Sequence, residues 1–162
     1  MTEATELLER LRRGDSPAAI ARALMPPPQR ELLRRVALPR AFDERVVEEV
    51  LRPDIPRPED RGWPFAELVK HPDVRKSEKH SGAFFLAPAR RAEYLDDWRA
   101  AGGAGGPAVP PALRRLSARL ADHFRRRGDA YDLEAFYHRV AAAPRAAARD
   151  FERLYRDAEG RS

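Results

Sequence analysis

Cysteine is absent from this 162-residue chain, which excludes disulfides and thiolate metal sites and fits a cytoplasmic protein. Long apolar runs are absent too. Nothing approaches the roughly 20 consecutive apolar residues that a membrane span needs. The opening stretch MTEATELLERLRRGD also lacks the apolar core of a signal peptide, so no membrane partner is expected. Lysine is scarce: Lys70, Lys76 and Lys79 are the only three among 31 basic residues. Catalytic patterns are missing as well. His71, His80, His123 and His138 are scattered, and no two share the i, i+4 spacing of a helical metal pair. Asp96 and Asp97 read as a solvated surface pair, and Ser77 and Ser81 flank a turn without a nucleophile elbow. No enzyme activity, cofactor or metal is expected.

What is present is charge and helical periodicity. Charged residues make up 35% and apolar residues 43%, enough for a folded core. The net charge of +5 is uneven: Lys/Arg against Asp/Glu runs 9 to 9 over residues 1–50, 10 to 9 over 51–100 and 12 to 8 over 101–162. The excess lies around RRLSARLADHFRRR, 114–127. Richness in arginine, alanine and proline fits a GC-rich genome, so the high isoelectric point says little about a polyanionic partner.

Along the chain, residues 2–13 read as a helix with Leu7, Leu8 and Leu11 on one stripe, ended by Gly14. Asp15 or Ser16 caps a second helix, PAAIARAL, with Pro17 in its first turn. MPPP, 25–28, breaks the chain and opens PQRELLRRVAL, whose apolar face is Leu32, Leu33, Val36 and Ala37. FDERVVEEVL is expected as a helix capped by Asp43, with Phe42, Val46, Val47 and Val50 inward. RPDIPRPEDRG, 52–62, should be a loop. WPFAELVKH, 63–71, reads as a short helix from Pro64 that buries Phe65, Leu68 and Val69. HPDVRKSEKHSGAFFLA then predicts a β-hairpin, with strands near 73–77 and 83–87 and a turn near Lys79–Gly82. PARRAEYLDDWRA, 88–100, is helical, anchored by Ala92, Leu95 and Trp98.

AGGAGGPAVPP, 101–111, holds four glycines and three prolines and reads as a linker. Beyond it, Leu113, Leu116, Leu120 and Phe124 form the stripe of an amphipathic helix that ends at Gly128. DLEAFYHRVAAA is expected to pack against it through Leu133, Phe136, Tyr137 and Val140. Pro144 opens a last helix with Ala147, Phe151, Leu154 and Tyr155. The divisions are an N-terminal helical extension at 1–26, a domain at 27–100 with the element order of a winged helix-turn-helix, the linker at 101–111, and a helical segment at 112–162. The fold expected is mainly α: a winged helix-turn-helix with a short β-hairpin, followed by a tetratricopeptide-like (TPR-like) α-helical hairpin stack.

The run ELLRRVALPRAFDERVVEEVL, then WPFAELVKHPDV, a hairpin and FFLAPARRAEYLDDW, resembles the winged-helix segment of STAND-type signalling NTPases. Leu33, Val36, Ala37, Pro39, Arg40 and Phe42 match its first part, and Leu68, Val74, Phe84, Phe85 and Leu86 its second. EAFYHRVAA resembles the TPR-like helix that follows it in that family, with Glu134, Ala135, Tyr137 and His138 in place. The departure is large: there is no GxxxxGK[ST] phosphate loop, so the nucleotide-hydrolysing half is missing. The chain is then either a fragment or a free-standing regulatory piece, and its start at Met1 favours the second. The resemblance implies a non-enzymatic regulatory module, with bacterial defence signalling as its setting. Its expected partner is a protein: an NTPase or effector chain, or a second copy of itself.

Two classes of contact residue follow. Arg75, Lys76, Lys79 and His80 on the hairpin are suited to a phosphate backbone or to a protein partner, although Glu78 interrupts them. The alternative function, a DNA-binding transcriptional regulator, would rest on them. The reading helix, PFAELVKH, would offer bases only Lys70 and His71 beside Glu67. For protein docking the candidates are Trp63, Trp98, Arg115, Arg119, Arg126 and His138. Their plain readings are packed aromatics, a solvated helix face and a hydrogen-bonded histidine.

Overall fold

Proline sets most of the helix starts. The computed structural model of the chain describes residues 5, 9, 12–14, 17–78, 80–101 and 109–159. Within them, α1 (Pro17–Leu24), α2 (Pro27–Val36), α4 (Pro88–Ala100), α5 (Pro111–Arg126) and α7 (Pro144–Glu159) each begin on a proline. The ring fixes φ near the helical value, and its missing N–H falls where no intrahelical acceptor exists. The exception among the longer helices is α6 (Asp132–Ala142), entered through a 3₁₀ turn at Asp129–Tyr131 after Gly128, whose φ is 93°. Most of the expected helix over 2–13, Leu7, Leu8 and Leu11 included, its boundary at Asp15 and Ser16, Lys79, and linker residues 102–108 lie outside the described residues, as do the side chains of Leu154 and Tyr155.

The molecule is mainly helical with one small antiparallel sheet. β1 (Val74–Lys76) pairs with β2 (Phe84–Leu86) in the register Val74 to Leu86, Arg75 to Phe85 and Lys76 to Phe84. Phe42 adds a rung on the far side of β2: its N–H donates to the Phe84 carbonyl at 2.8 Å, and the Phe84 N–H donates back at 2.7 Å. The hairpin is thereby fastened to the chain that leaves α2.

Four local expectations are corrected. FDERVVEEVL does not form an ordinary α-helix. Val46–Leu51 is π-helical, and the Arg52 N–H reaches the Val47 carbonyl five residues back at 3.1 Å. The wider turn puts Val46, Val47, Val50 and Leu51 all in the core, more than a regular α-turn would turn inward. WPFAELVKH contracts to a single turn, α3 (Phe65–Leu68), and the 52–62 loop contains a 3₁₀ turn at Pro58–Arg61. In α4 the buried anchors are Tyr94 and Trp98; Ala92 faces solvent.

The residues on either side of the expected linker share one apolar core. Leu32, Leu33, Val36, Phe42, Val46, Val47 and Leu51 cluster with Leu116, Leu120, Phe124 and Ala135, with α5 lying along α6 and against the π-helical turn. One face is turned over. α6 meets α5 through Ala135 and His138, whereas Leu133, Tyr137 and Val140 are exposed at 69%, 37% and 43%. The expected inward stripe therefore points out, because small Ala135 and flat His138 let α6 approach α5 where bulky side chains would hold it off. Phe136 stays half-buried, its ring 6.1 Å from that of Phe151 on α7.

Candidate functional site

The link between α2 and the π-helical turn is held by two arginine clamps. At one, the backbone N–H of Arg40 donates to Glu134 Oε1 at 2.8 Å while its side-chain Nε lies 3.0 Å from Oε2. Its guanidinium sits 5.1 Å from the Tyr137 ring centre. At the other, Asp43 accepts from the Val46 N–H at 2.9 Å and pairs with Arg127 at 2.6 Å. Arg127 in turn lies 4.5 Å from the Tyr131 ring centre. Between these clamps and the hairpin opens a cleft of about 640 Å³. Its apolar wall includes Phe85, Tyr131 and Leu133, and Lys76, Glu78 and His80 come from the hairpin.

Rings run from the hairpin tip into the core. His80 stacks on Tyr131 at 6.2 Å, Tyr131 on Phe124 at 5.8 Å, and Phe124 on His138 at 5.8 Å with the planes only 8° apart. His138 is fully buried, and burial holds its pKa below 6.5 against the pull of Glu134. Its Nε2 lies 3.3 Å from Glu134 Oε1 but off the hydrogen-bonding direction, so the pair is a close approach and not an aligned bond. Glu134 shows the opposite balance: burial raises its pKa, but His138 and the Arg40 N–H outweigh that and keep it below 4.5. His123, on α5, is buried with no hydrogen-bond partner at Nε2 among the described residues, and burial and then Arg127 lower its pKa.

The expected contact residues separate. Lys76 and His80 come together at the cleft; Arg75, its neighbour on β1, is exposed but does not line it. Arg115 and Arg126 are exposed on α5, and Arg119 is half-buried, 3.7 Å from Asp54. Trp63 is half-buried with its ring 5.2 Å from that of His71, and its carbonyl accepts from Arg52 Nη2. Trp98 and His138 are corrected as docking residues: both are buried, so neither presents a surface to a partner. Sequence reasoning named Arg40 only for the family resemblance and Arg127 only within the basic run of α5, and it missed Tyr131 and the outward face of Leu133. One signal was present. The α6 sequence carries apolar residues on two opposite faces at once, which a helix needs only if both are to be covered.

Among the described residues, no group of three or more His, Asp or Glu side chains is placed to hold a metal ion, and no helix is long and apolar enough to cross a membrane. No protein-family model, curated protein or solved structure matches this chain.

Proposed function

We propose that this chain is a non-enzymatic protein-interaction module: a winged-helix-like first part joined to a TPR-like helical segment, acting as a regulatory adaptor of the STAND signalling class. The element order from α2 through α4, with a two-stranded hairpin before the last helix, supports the first part. The antiparallel run of α5, α6 and α7 supports the second. The signalling class and its defence setting rest on the sequence resemblance.

The observation that carries the reading is the outward stripe of α6. Leu133, Tyr137 and Val140 lie at i, i+4 and i+7 and are solvent-exposed, and Phe151 of α7, whose ring meets Phe136 of α6, is exposed at 57%. Each Å² of apolar surface left in water forgoes about 25 cal/mol. A contiguous stripe of this kind suits the apolar helix face of a partner chain.

The regulator alternative has one observation on its side: Arg75 and Lys76 are exposed and have no ion-pair partner among the described residues. Against it, the would-be reading helix is the single turn Phe65–Leu68, with Glu67 bound to Lys70 at 2.7 Å. A helix that short presents too few side chains to a major groove.

The test is a tagged pull-down from the native cell, nuclease-treated and washed at high salt, run beside a Val140→Asp, Phe151→Asp variant whose fold is checked by circular dichroism. A stoichiometric partner held by the parent chain and lost from the variant is the expected result. Retention by both, or nucleic acid as the sole bound species in low-salt eluates, overturns the reading.

A further inference from the structure

We propose that the outward stripe of α6 pairs with the same stripe of a second copy of this chain, the two helices running antiparallel about a two-fold axis. This rests on the reading of the stripe as a docking surface and names its partner.

The spacing sets the form of the contact. Leu133, Tyr137 and Val140 fall at i, i+4 and i+7, and exposed Ala130 and Pro144, just outside the helix, continue the row at either end. Steps of three and four alternate along the whole row, which is the seam of two helices packed side by side. Such a seam needs an apolar helix face opposite, and the stripe is itself one. It is also short. The 11 residues of α6 span about 16 Å, so the contact falls below the roughly 1,600 Å² of a standard interface and is reversible.

Charge selects the second copy. Asp129 and Asp132 stand exposed at the start of the stripe, and Arg145 and Arg149 stand exposed beyond its end, in the first turns of α7. None of these four has an ion-pair partner among the described residues. The neighbouring charges are engaged: Glu134 pairs with Arg40, Arg139 pairs with Asp150, and Glu152 is not free. The stripe thus has an acidic end and a basic end. A parallel copy would oppose like charges. An antiparallel copy opposes unlike ones, and symmetry makes each contact twice. With Tyr137 across from Val140 of the second copy, position 132 comes across from position 145. An unrelated partner would have to supply both the apolar row and this charge order, whereas a second copy carries them already.

The experiment is sedimentation equilibrium of the full chain over micromolar concentrations, with charge-swapped variants checked for folding by circular dichroism. The parent should show a reversible monomer–dimer equilibrium. Asp132→Arg alone and Arg145→Asp alone each set like charges against one another twice and should weaken the dimer about tenfold or more. An equimolar mixture of the two variants should pair again, as should the double variant Asp132→Arg, Arg145→Asp. Should Asp132→Arg fail to fold, Arg145→Asp against the parent decides. A parent that stays monomeric, single variants that pair like the parent, or a mixture no tighter than its components would each overturn the second copy. If the native-cell pull-down still yields a different protein that depends on the stripe, only this assignment falls and the interaction module stands. A pull-down whose bound protein ignores the stripe overturns the module itself.

Discussion

Trp98 donates its indole N–H to the carbonyl oxygen of Arg34 at 2.8 Å, while the Arg34 guanidinium lies 3.8 Å from the Trp98 ring centre. One residue of α2 thus grips the end of α4 from both sides, main chain to the nitrogen and side chain to the face. The carbonyl is one of those a helix C-terminus leaves without an intrahelical donor. Trp98→Phe keeps much of the apolar body but strands that carbonyl in the core, at a cost of about 1–3 kcal/mol. Trp98→Ala adds a cavity and should lose roughly 3–5 kcal/mol. Urea unfolding followed by far-ultraviolet circular dichroism measures both, and no loss in Trp98→Phe would show that the indole N–H contributes nothing.

Gly62 separates backbone strain from crowding. Its φ is 73°, and an added Cβ would stand 2.9 Å from the Pro28 carbonyl oxygen and 3.0 Å from Leu32 Cβ. Gly82, at the hairpin tip, has nearly the same φ of 76° and open space around it. Gly82→Ala should therefore cost only the left-handed penalty of about 1–2 kcal/mol. Gly62→Ala carries that penalty plus a clash with main chain and should cost about 1–3 kcal/mol more. The two melting temperatures, measured side by side, read the difference.

Asp43 has two tasks that mutation can take apart. Its carboxylate caps the Val46 N–H, a start expected from the sequence, and pairs with Arg127 across to α5. Burial raises its pKa, but the Val46 amide and Arg127 outweigh that and hold it below 3.8. Asp43→Asn keeps an oxygen for the cap and weakens the pair; Asp43→Ala loses both. The cap contributes about 1 kcal/mol and the partly buried ion pair about 1 kcal/mol. Stability should fall in the order parent, Asp43→Asn, Asp43→Ala, and Arg127→Ala should resemble the Asn variant. A double-mutant cycle over Asp43 and Arg127 isolates the pair.

The local signals that reached the fold were those written in single residues. Pro17, Pro27, Pro88, Pro111 and Pro144 announce helix starts because the ring acts on its own backbone whatever surrounds it. The hairpin, too, lies where Ser81–Gly82 and the run Phe84–Leu86 put it. Features that depend on a distant neighbour were not legible. Leu133, Tyr137 and Val140 have the spacing of a buried stripe, and only the close fit of Ala135 and His138 on α5 turns them outward. The π-helical turn at Val46–Leu51 is likewise a tertiary outcome, set by four apolar residues seeking one core. The cleft draws on the α2 exit, the hairpin and the Tyr131–Glu134 stretch, segments some 35 to 90 residues apart, so no local pattern could have assembled it.

Acid should loosen the junction of α5 and α6 before it touches the carboxylates. His138 faces Glu134, Arg91 and Arg40, and His123 faces Arg127, Asp43, Glu49 and Arg126. Burial leads in lowering both pKa values below 6.5. The folded chain therefore takes up protons at these two rings less readily than the unfolded chain, and the linkage sign is fixed. Their contribution is complete above pH 6.5 and is lost as pH falls below it toward the folded-state values. Asp43 and Glu134, held below 3.8 and 4.5, give up their share only at lower pH. Denaturant midpoints taken from pH 7.5 to 4.5 should thus decline first with histidine and only later with carboxylates. His138→Gln keeps a polar group of similar reach without the titration, and it should flatten the upper part of that decline while lowering stability at pH 7.5. An unchanged profile in both this variant and His123→Gln would mean that neither buried ring governs the acid response.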